Sequence, residues 1–250
     1  MQDTKISIVI PTLQKRLDIL ENLVKTLDSD KAVGEIIIIN NAVKPLGFSY
    51  PKMRVITTES NIYVNPAWNL GVKEAKGKYI GLLNDDIIIA DDFCSSMLKV
   101  LPEKVGVIGY TKESIIPVEA GETKPEKAEI ELVKKDFIDF GFGICMFFKK
   151  EDYPVIPEDM KIMYGDCWIF EGYKKAGKTN YVITGQKIFH LGSLTTSQKS
   201  FNPVIDSDKK AYKKLICPWY KKIFSVQEYA DCVKLRLLGI NFKLYNKSGK

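Results

Sequence analysis

Asn84, Asp85 and Asp86 stand in a row between two apolar runs, Ile80–Leu83 and Ile87–Ala90. A carboxylate buried without a partner is strongly disfavoured, so Asp85 and Asp86 must face water, a cationic partner or a metal ion. Two more polar pairs, Pro11-Thr12 and Asn40-Asn41, also close apolar runs. A second acidic pair, Asp91-Asp92, reads differently: Asp91 is placed to cap the helix "DFCSSMLKVL". His190 is the only histidine, and the five cysteines are scattered with no C-x-x-C pair, which excludes a structural zinc site and fits free thiols in a reducing compartment.

The elements that must position these residues alternate in type. "KISIVIP", "EIIIINN", "MRVITT" and "KYIGLLN" are β-branched or apolar strands. Between them, "RLDILENLVKTLDSD" places Leu17, Leu20, Val24 and Leu27 on one helical face. "NPAWNLGVKEAKG" reads as a second helix, with Asn65 as N-cap, Pro66 at its first position and Gly77 past its end. Strands apolar on both faces and separated by helices predict a mainly parallel α/β sheet covered on both sides. Ligands of such sheets bind beyond the carboxyl ends of the strands, where Thr12, Asn40, Asn41 and Asn84–Asp86 fall. Further on, residues 113–131 are rich in Glu, Pro, Gly and Lys and read as a loop or flap; "DFGFGICMFFKKEDY" is a strand with glycines at its start. "MYGDCWIFEGYKKAGK" is a helix starting near Asp166, and "NYVITGQKIFHLGS" gives two short strands. The tail from Asp206 reads as two or three helices anchored by Trp219, Tyr220 and Phe224.

With 45% hydrophobic and 27% charged residues, the 250-residue chain is globular rather than disordered. The early run "ISIVI" is five residues long and meets Pro11, too short for a signal peptide, and no apolar stretch is long enough to span a bilayer. A cytoplasmic location, peripheral to membrane, is the expectation. The charge of +6 is unevenly spread: residues 209–250 hold 11 Lys/Arg against Glu228 and Asp231, a balance of +9, which leaves −3 for the rest. A basic tail of this kind fits anionic lipid or a phosphorylated substrate.

Several segments, in order, resemble the inverting nucleotide-sugar glycosyltransferases of family two, which have the GT-A fold. They are "SIVIPT", "EIIIINNA", "ESNIYVNPAWNLGVKEAKGKYIGLLNDD", "YGDCWIFEGYKKAGK" and "FHLGS". The third is the most specific, through Asn61, Asn69, Gly71, Ala75, Gly77 and the triplet Asn84-Asp85-Asp86. The resemblance implies a GT-A domain over residues 1–205, with a nucleotide-sugar half (1–110) and an acceptor half (111–205); the basic helical extension over 206–250 lies beyond it. Pro11, Thr12, Asn40, Asn41, Asn61, Asn69, Asn84 and Asp85 would then contact the sugar nucleotide. Asp86 takes the metal-binding last place of the D-x-D triplet, and His190 matches a further metal ligand. Asp166 holds the place of the base that deprotonates the acceptor. Gly143 and Trp168 would meet the acceptor. Asn84 stands where the family usually has Asp, Asn40-Asn41 where it has an aspartate that reads the base, and Gly165 where it has Glu.

The chemistry this implies is a single displacement. The acceptor hydroxyl of a glycan or lipid-linked sugar attacks the donor, a UDP-, GDP- or dTDP-sugar, and a nucleoside diphosphate leaves. Departure gathers negative charge on the bridging oxygen, which Mg²⁺ or Mn²⁺ held by oxygen ligands would stabilise. Nucleic acid is not an expected partner. Two alternatives stay open: a catalytically degenerate sugar-nucleotide or glycan-binding module, kept alive by Asn84 and Gly165, and a nucleotide-sugar pyrophosphorylase, disfavoured because "PTLQKRLD" lacks glycine.

Overall fold

A computed structural model describes residues 5–117, 127–138, 141–192, 199–216, 224–228, 232–238 and 240–245. The chain forms two compact units, Met1–Asp208 and Lys209–Lys250. The first begins with β1 (Ile6–Thr12), α1 (Leu17–Ser29), β2 (Val33–Asn40), β3 (Met53–Thr57), α2 (Val64–Glu74) and β4 (Tyr79–Leu83). It continues with β5 (Ile87–Ile88), α3 (Phe93–Val100), β6 (Val105–Gly109), β7 (Ile115–Pro117), β8 (Glu131–Lys135) and β9 (Cys145–Lys149). Then come α4 (Gly165–Lys175), β10 (Thr179–Thr184) and β11 (Ile188–His190). The helix α5 (Asn202–Ile216) starts in the first unit and ends in the second.

Eight strands form one sheet in the order β3-β2-β1-β4-β9-β6-β10-β8. The pairs β1/β2, β2/β3, β1/β4 and β6/β10 are parallel, whereas β9 opposes both β4 and β6, and β8 opposes β10. The sheet is therefore mixed with a parallel majority. Both faces of β1 are used, as its unbroken apolar sequence requires. Ile6, Ile8 and Ile10 join Leu20, Leu23, Val24 and Leu27 of α1 in one core. The alternate residues Ser7 and Val9 meet the segment of α2 and its exit: a β-carbon on Gly71 would overlap Val9 Cγ1, and Gly77 donates its N–H to Ser7 Oγ at 2.8 Å. Each fully buried Leu or Val of α1 contributes roughly 1.5–3 kcal/mol relative to exposure. Truncating Leu23, 1% exposed, to Ala would cost about 2–5 kcal/mol.

A smaller sheet, ordered β5-β11-β7, lies at the carboxyl end of β4. Its register sets His190 opposite Ile87 and beside Pro117, and Leu191 donates its N–H to Asp86 O at 3.0 Å. These pairings carry the late histidine to the acidic triplet.

Three local expectations are corrected. The helix α2 begins at Val64, so Asn65 lies inside it and caps nothing; its side chain turns instead to Met163 O, 3.1 Å away. The residue before α3 is Asp92, not Asp91, and Asp92 accepts hydrogen bonds from Ser96 Oγ and the N–H of Ala128. Beyond α5 the described residues of the second unit form strands, not helices: β12 (Phe224–Glu228), β13 (Cys232–Leu237) and β14 (Ile240–Tyr245) make an antiparallel meander. The reason is in the period, since "VKLRL" alternates apolar and basic residues every second position, the pattern of a strand. Trp219 and Tyr220 lie outside the described residues.

Candidate active site

The polar ends of β1, β2 and β4 open on one cavity of about 720 Å³, within the size range of small-molecule sites. Pro11, Thr12, Asn41, Asn61, Asn84, Asp85, Asp86, Gly143, Asp166 and His190 all line it. Thr12 follows the apolar run of β1 and donates its hydroxyl to Asp85 Oδ2 at 2.5 Å. The N–H of Asn41 reaches back to Thr12 O at 2.9 Å, and Asn84 is fixed by its N–H to Ile144 O at 3.0 Å. Asn61 accepts the N–H of Tyr63 at 2.9 Å, stabilising a left-handed backbone at Tyr63 (φ 70°) at the start of α2.

On this wall His190 Nε2 stands 3.2 Å from Asp86 Oδ1, and both side chains are only 12% exposed. Burial pushes the Asp85 carboxyl up to about 6; the Thr12 hydroxyl opposes this, while the neighbouring Asp86 charge adds to it. Two adjacent carboxylates and an imidazole share a partly desolvated corner of the cavity. Asp86 and His190 could hold a hard divalent cation as two protein ligands, leaving its other positions for phosphate oxygens and water, the usual habit of Mg²⁺ at nucleotide sites. Among the described residues no third His, Cys, Asp or Glu joins a metal-binding group with them.

Asp166 lies on another wall, at the second residue of α4. Its Oδ1 accepts the N–H of Cys167 at 2.8 Å. Burial raises its pKa above the ordinary carboxylate value, and the N–H groups of Cys167 and Gly143 work against that by bonding the charged form. A β-carbon on Gly143 would stand 3.0 Å from Asp166 Oδ2, so glycine there lets the backbone lie close to the carboxylate.

Three of the expected contact residues are placed elsewhere. Asn40, fully buried, accepts from Gln14 Nε2 at 3.0 Å and from the N–H of Ala42 at 3.1 Å, and donates to Lys44 O at 2.7 Å. It ties the loops after β1 and β2 together and does not line the cavity. Asn69 donates to Ile156 O at 2.8 Å and accepts from Tyr153 Oη at 2.9 Å, a staple between α2 and the segment before α4. Trp168 donates its indole N–H to Val155 O at 3.0 Å, also away from the cavity. The aromatic lining comes instead from Tyr63, Trp68, Tyr164 and Phe201, with Lys15, Arg16 and Lys112 as cations. Of these, Tyr164 carries a readable signal, because it adjoins Gly165-Asp166; the others depend on which face of an element turns inward.

The model of "Glycosyl transferase family 2" matches residues 7–172, two thirds of the chain. The chain belongs to glycosyl transferase family 2. A search of curated proteins gives no match. Among solved structures, GalNAc-T7 with UDP, GalNAc and Mn²⁺ superposes with a TM-score of 0.61 at 14% identity, over 87% of this chain and 49% of that one. Two structures of S. aureus TarS are similar at TM-scores of 0.55 and 0.56, with 14% and 10% identity. They cover 84% and 97% of this chain, and this chain covers 40% of the first and 99% of the second, which holds TarS 1–349. This member of the family thus has the GT-A architecture and spans about half the length, or less, of two of these three neighbours. The triplet Asn84–Asp86 and Asp166 both fall inside the matched residues, while His190 lies beyond them.

Proposed function

We propose that the protein transfers a sugar from a nucleoside-diphosphate sugar to an acceptor hydroxyl with inversion at the anomeric carbon. One observation carries this reading: Asp86 with His190, and separately Asp166, line the same cavity from different elements. Inverting transfer requires this division, with charge stabilisation on the leaving-group side and a base on the acceptor side. Asp86 and His190 would hold Mn²⁺ or Mg²⁺, which when bound would offset the negative charge of the leaving diphosphate. UDP is the favoured nucleotide, in keeping with the UDP and Mn²⁺ bound to GalNAc-T7. Pro11, Thr12, Asn41, Asn61, Asn84 and Asp85 border the nucleotide and ribose, with Thr12 fixing the Asp85 carboxylate. Tyr63, Trp68, Tyr164 and Phe201 give the cavity apolar walls that exclude water.

In the reaction, Asp166 takes the proton of the acceptor hydroxyl as its oxygen bonds to the anomeric carbon. The bond from that carbon to the diphosphate breaks, and its electron pair stays on the diphosphate oxygen. The acceptor is a glycan or a lipid-linked sugar. The basic segment 209–250 brings the enzyme to anionic membrane, a partner suited to its +9 charge. Incubating the protein with UDP-, GDP- and dTDP-sugars, with and without chelator, and reading the product's anomeric configuration by NMR coupling constants tests the proposal. Retained configuration, or nucleotide binding with no turnover of any donor and acceptor, would overturn it.

A further inference from the structure

The segment Lys161–Met163 immediately precedes Tyr164, Gly165 and Asp166, and its backbone is held by two residues distant in sequence. Asp208 of α5, fully buried, receives three successive N–H groups: Lys161 on Oδ1 at 2.8 Å, and Ile162 and Met163 on Oδ2 at 2.7 and 2.8 Å. Asn65 of α2, also fully buried, takes the opposite edge. Its backbone N–H donates to Lys161 O at 2.9 Å and its Nδ2 to Met163 O at 3.1 Å. Donors on one edge and carbonyls on the other are thus clamped between two helices. The next residue, Tyr164, is left-handed (φ 63°), an unfavourable state for a tyrosine that persists only where its surroundings fix it. Then α4 begins, with Asp166 in its first turn.

We infer that Asn65 and Asp208 are positioning residues that form a two-sided brace and set the place of Asp166 in the cavity. This rests on the reading of Asp166 as the base, and it explains the glycine before it. A β-carbon on Gly165 would overlap Asn65 Oδ1, so the amide and the glycine are one fitted pair. Glutamate, or any side chain, at 165 would drive Asn65 out of the brace. The brace also links Asp166 to the α2 wall of the cavity, because Tyr63, Val64 and Trp68, around Asn65 at the start of α2, line the same cavity.

Asp208→Asn tests the brace at constant size. It turns one acceptor oxygen into a donor facing N–H groups, so at least one of the three bonds is lost. Amide hydrogen exchange of the full-length protein needs no substrate: residues 161–166 should exchange at least tenfold faster, with β1 and β4 unchanged. Turnover should fall about 10- to 100-fold, the cost of a misplacement of about an ångström, while the affinity for UDP with Mn²⁺ stays within twofold. In an Asp166→Asn background the same substitution should cost nothing further, since Asp208 acts through Asp166. If Asp208→Asn does not fold, Asn65→Ala, which frees Met163 O while the backbone N–H at 65 still reaches Lys161 O, should give the same exchange pattern at Met163–Asp166. Unchanged exchange at 161–166, or an equal loss of turnover in both backgrounds, would overturn the inference. Normal turnover in Asp166→Asn alone would instead remove the base assignment, and hydrogen exchange would still report on the brace.

Discussion

At the scale of single residues, the proposed reaction assigns binding to one wall of the cavity and chemistry to the other. Asp166→Asn keeps size and helix position but is a far weaker proton acceptor. Turnover should drop by about 10²–10⁴, with little change in affinity for UDP and Mn²⁺. Its pKa is raised by burial, and the base works only when ionised. Activity is therefore present above that raised pKa and lost as pH falls through it. The acid limb of the kcat profile should lie above the ordinary aspartate value and vanish in Asp166→Asn. The opposite wall gives the opposite phenotype. Asp86→Ala should abolish metal-dependent UDP binding in calorimetry yet leave the melting temperature near that of the wild type, because the side chain lines the cavity rather than filling the core. His190→Ala should weaken Mn²⁺ binding as well, and a mutant that keeps full Mn²⁺ affinity but melts early would make His190 purely structural. An Asp86→Ala protein that still responds to chelator when binding UDP would move the metal away from Asp86.

At the scale of elements, the sheet does the positioning, and its tightest contact is testable. Gly71 sits inside α2, where alanine is favoured by about 1 kcal/mol on helix propensity alone. Yet its β-carbon would overlap Val9 Cγ1, and Val9 is fully buried with no room to retreat. Overpacking costs about 1–3 kcal/mol and should win, so Gly71→Ala should lower the urea midpoint; a rise would mean that helix and strand separate freely. This contact also shows what the sequence makes legible. The strand ends at Thr12, Asn41 and Asn84 are readable because unbroken apolar runs stop abruptly at polar residues, and a parallel sheet must gather such ends. The roles of Asn40 and Asn69 are not readable, because an asparagine serving a loop looks like one serving a ligand until the carbonyls of Lys44 and Ile156 are in place. Asn65 and Asp208 are hidden for the same reason, since each meets a segment far away in sequence. The strands of the second unit are a different case: their alternating period is in the sequence, and the density of lysines suggests solvated helices instead.

At the scale of the whole molecule, charge is divided between the two units. Residues 209–250 carry +9 and the remainder −3. No helix among the described residues is long and apolar enough to cross a bilayer. Two features of the second unit bear on contact with membrane. Lys209, Lys210, Lys213 and Lys214 lie exposed on α5, and each basic residue near an anionic leaflet contributes about 1 kcal/mol. Around the β13–β14 connection Leu237, Leu238, Ile240 and Phe242 are 45%, 77%, 62% and 44% exposed, an apolar group whose burial does not depend on salt. The two contributions respond differently to ionic strength, because surface charge is screened beyond about 8 Å in physiological salt. Binding to phosphatidylserine vesicles at low salt should therefore be strong and should weaken sharply, without disappearing, as salt is raised. Replacing the four α5 lysines with glutamine should reduce the low-salt partition by about 10²–10³-fold, from about 1 kcal/mol each, and flatten the salt dependence. Replacing Leu238 and Ile240 with serine should leave the salt slope intact and remove the residual binding at high salt. Intact protein that ignores such vesicles at low salt would refute the membrane role, and the positive segment would then serve a phosphorylated acceptor, detectable as competition by inorganic polyphosphate for acceptor transfer but not for UDP binding.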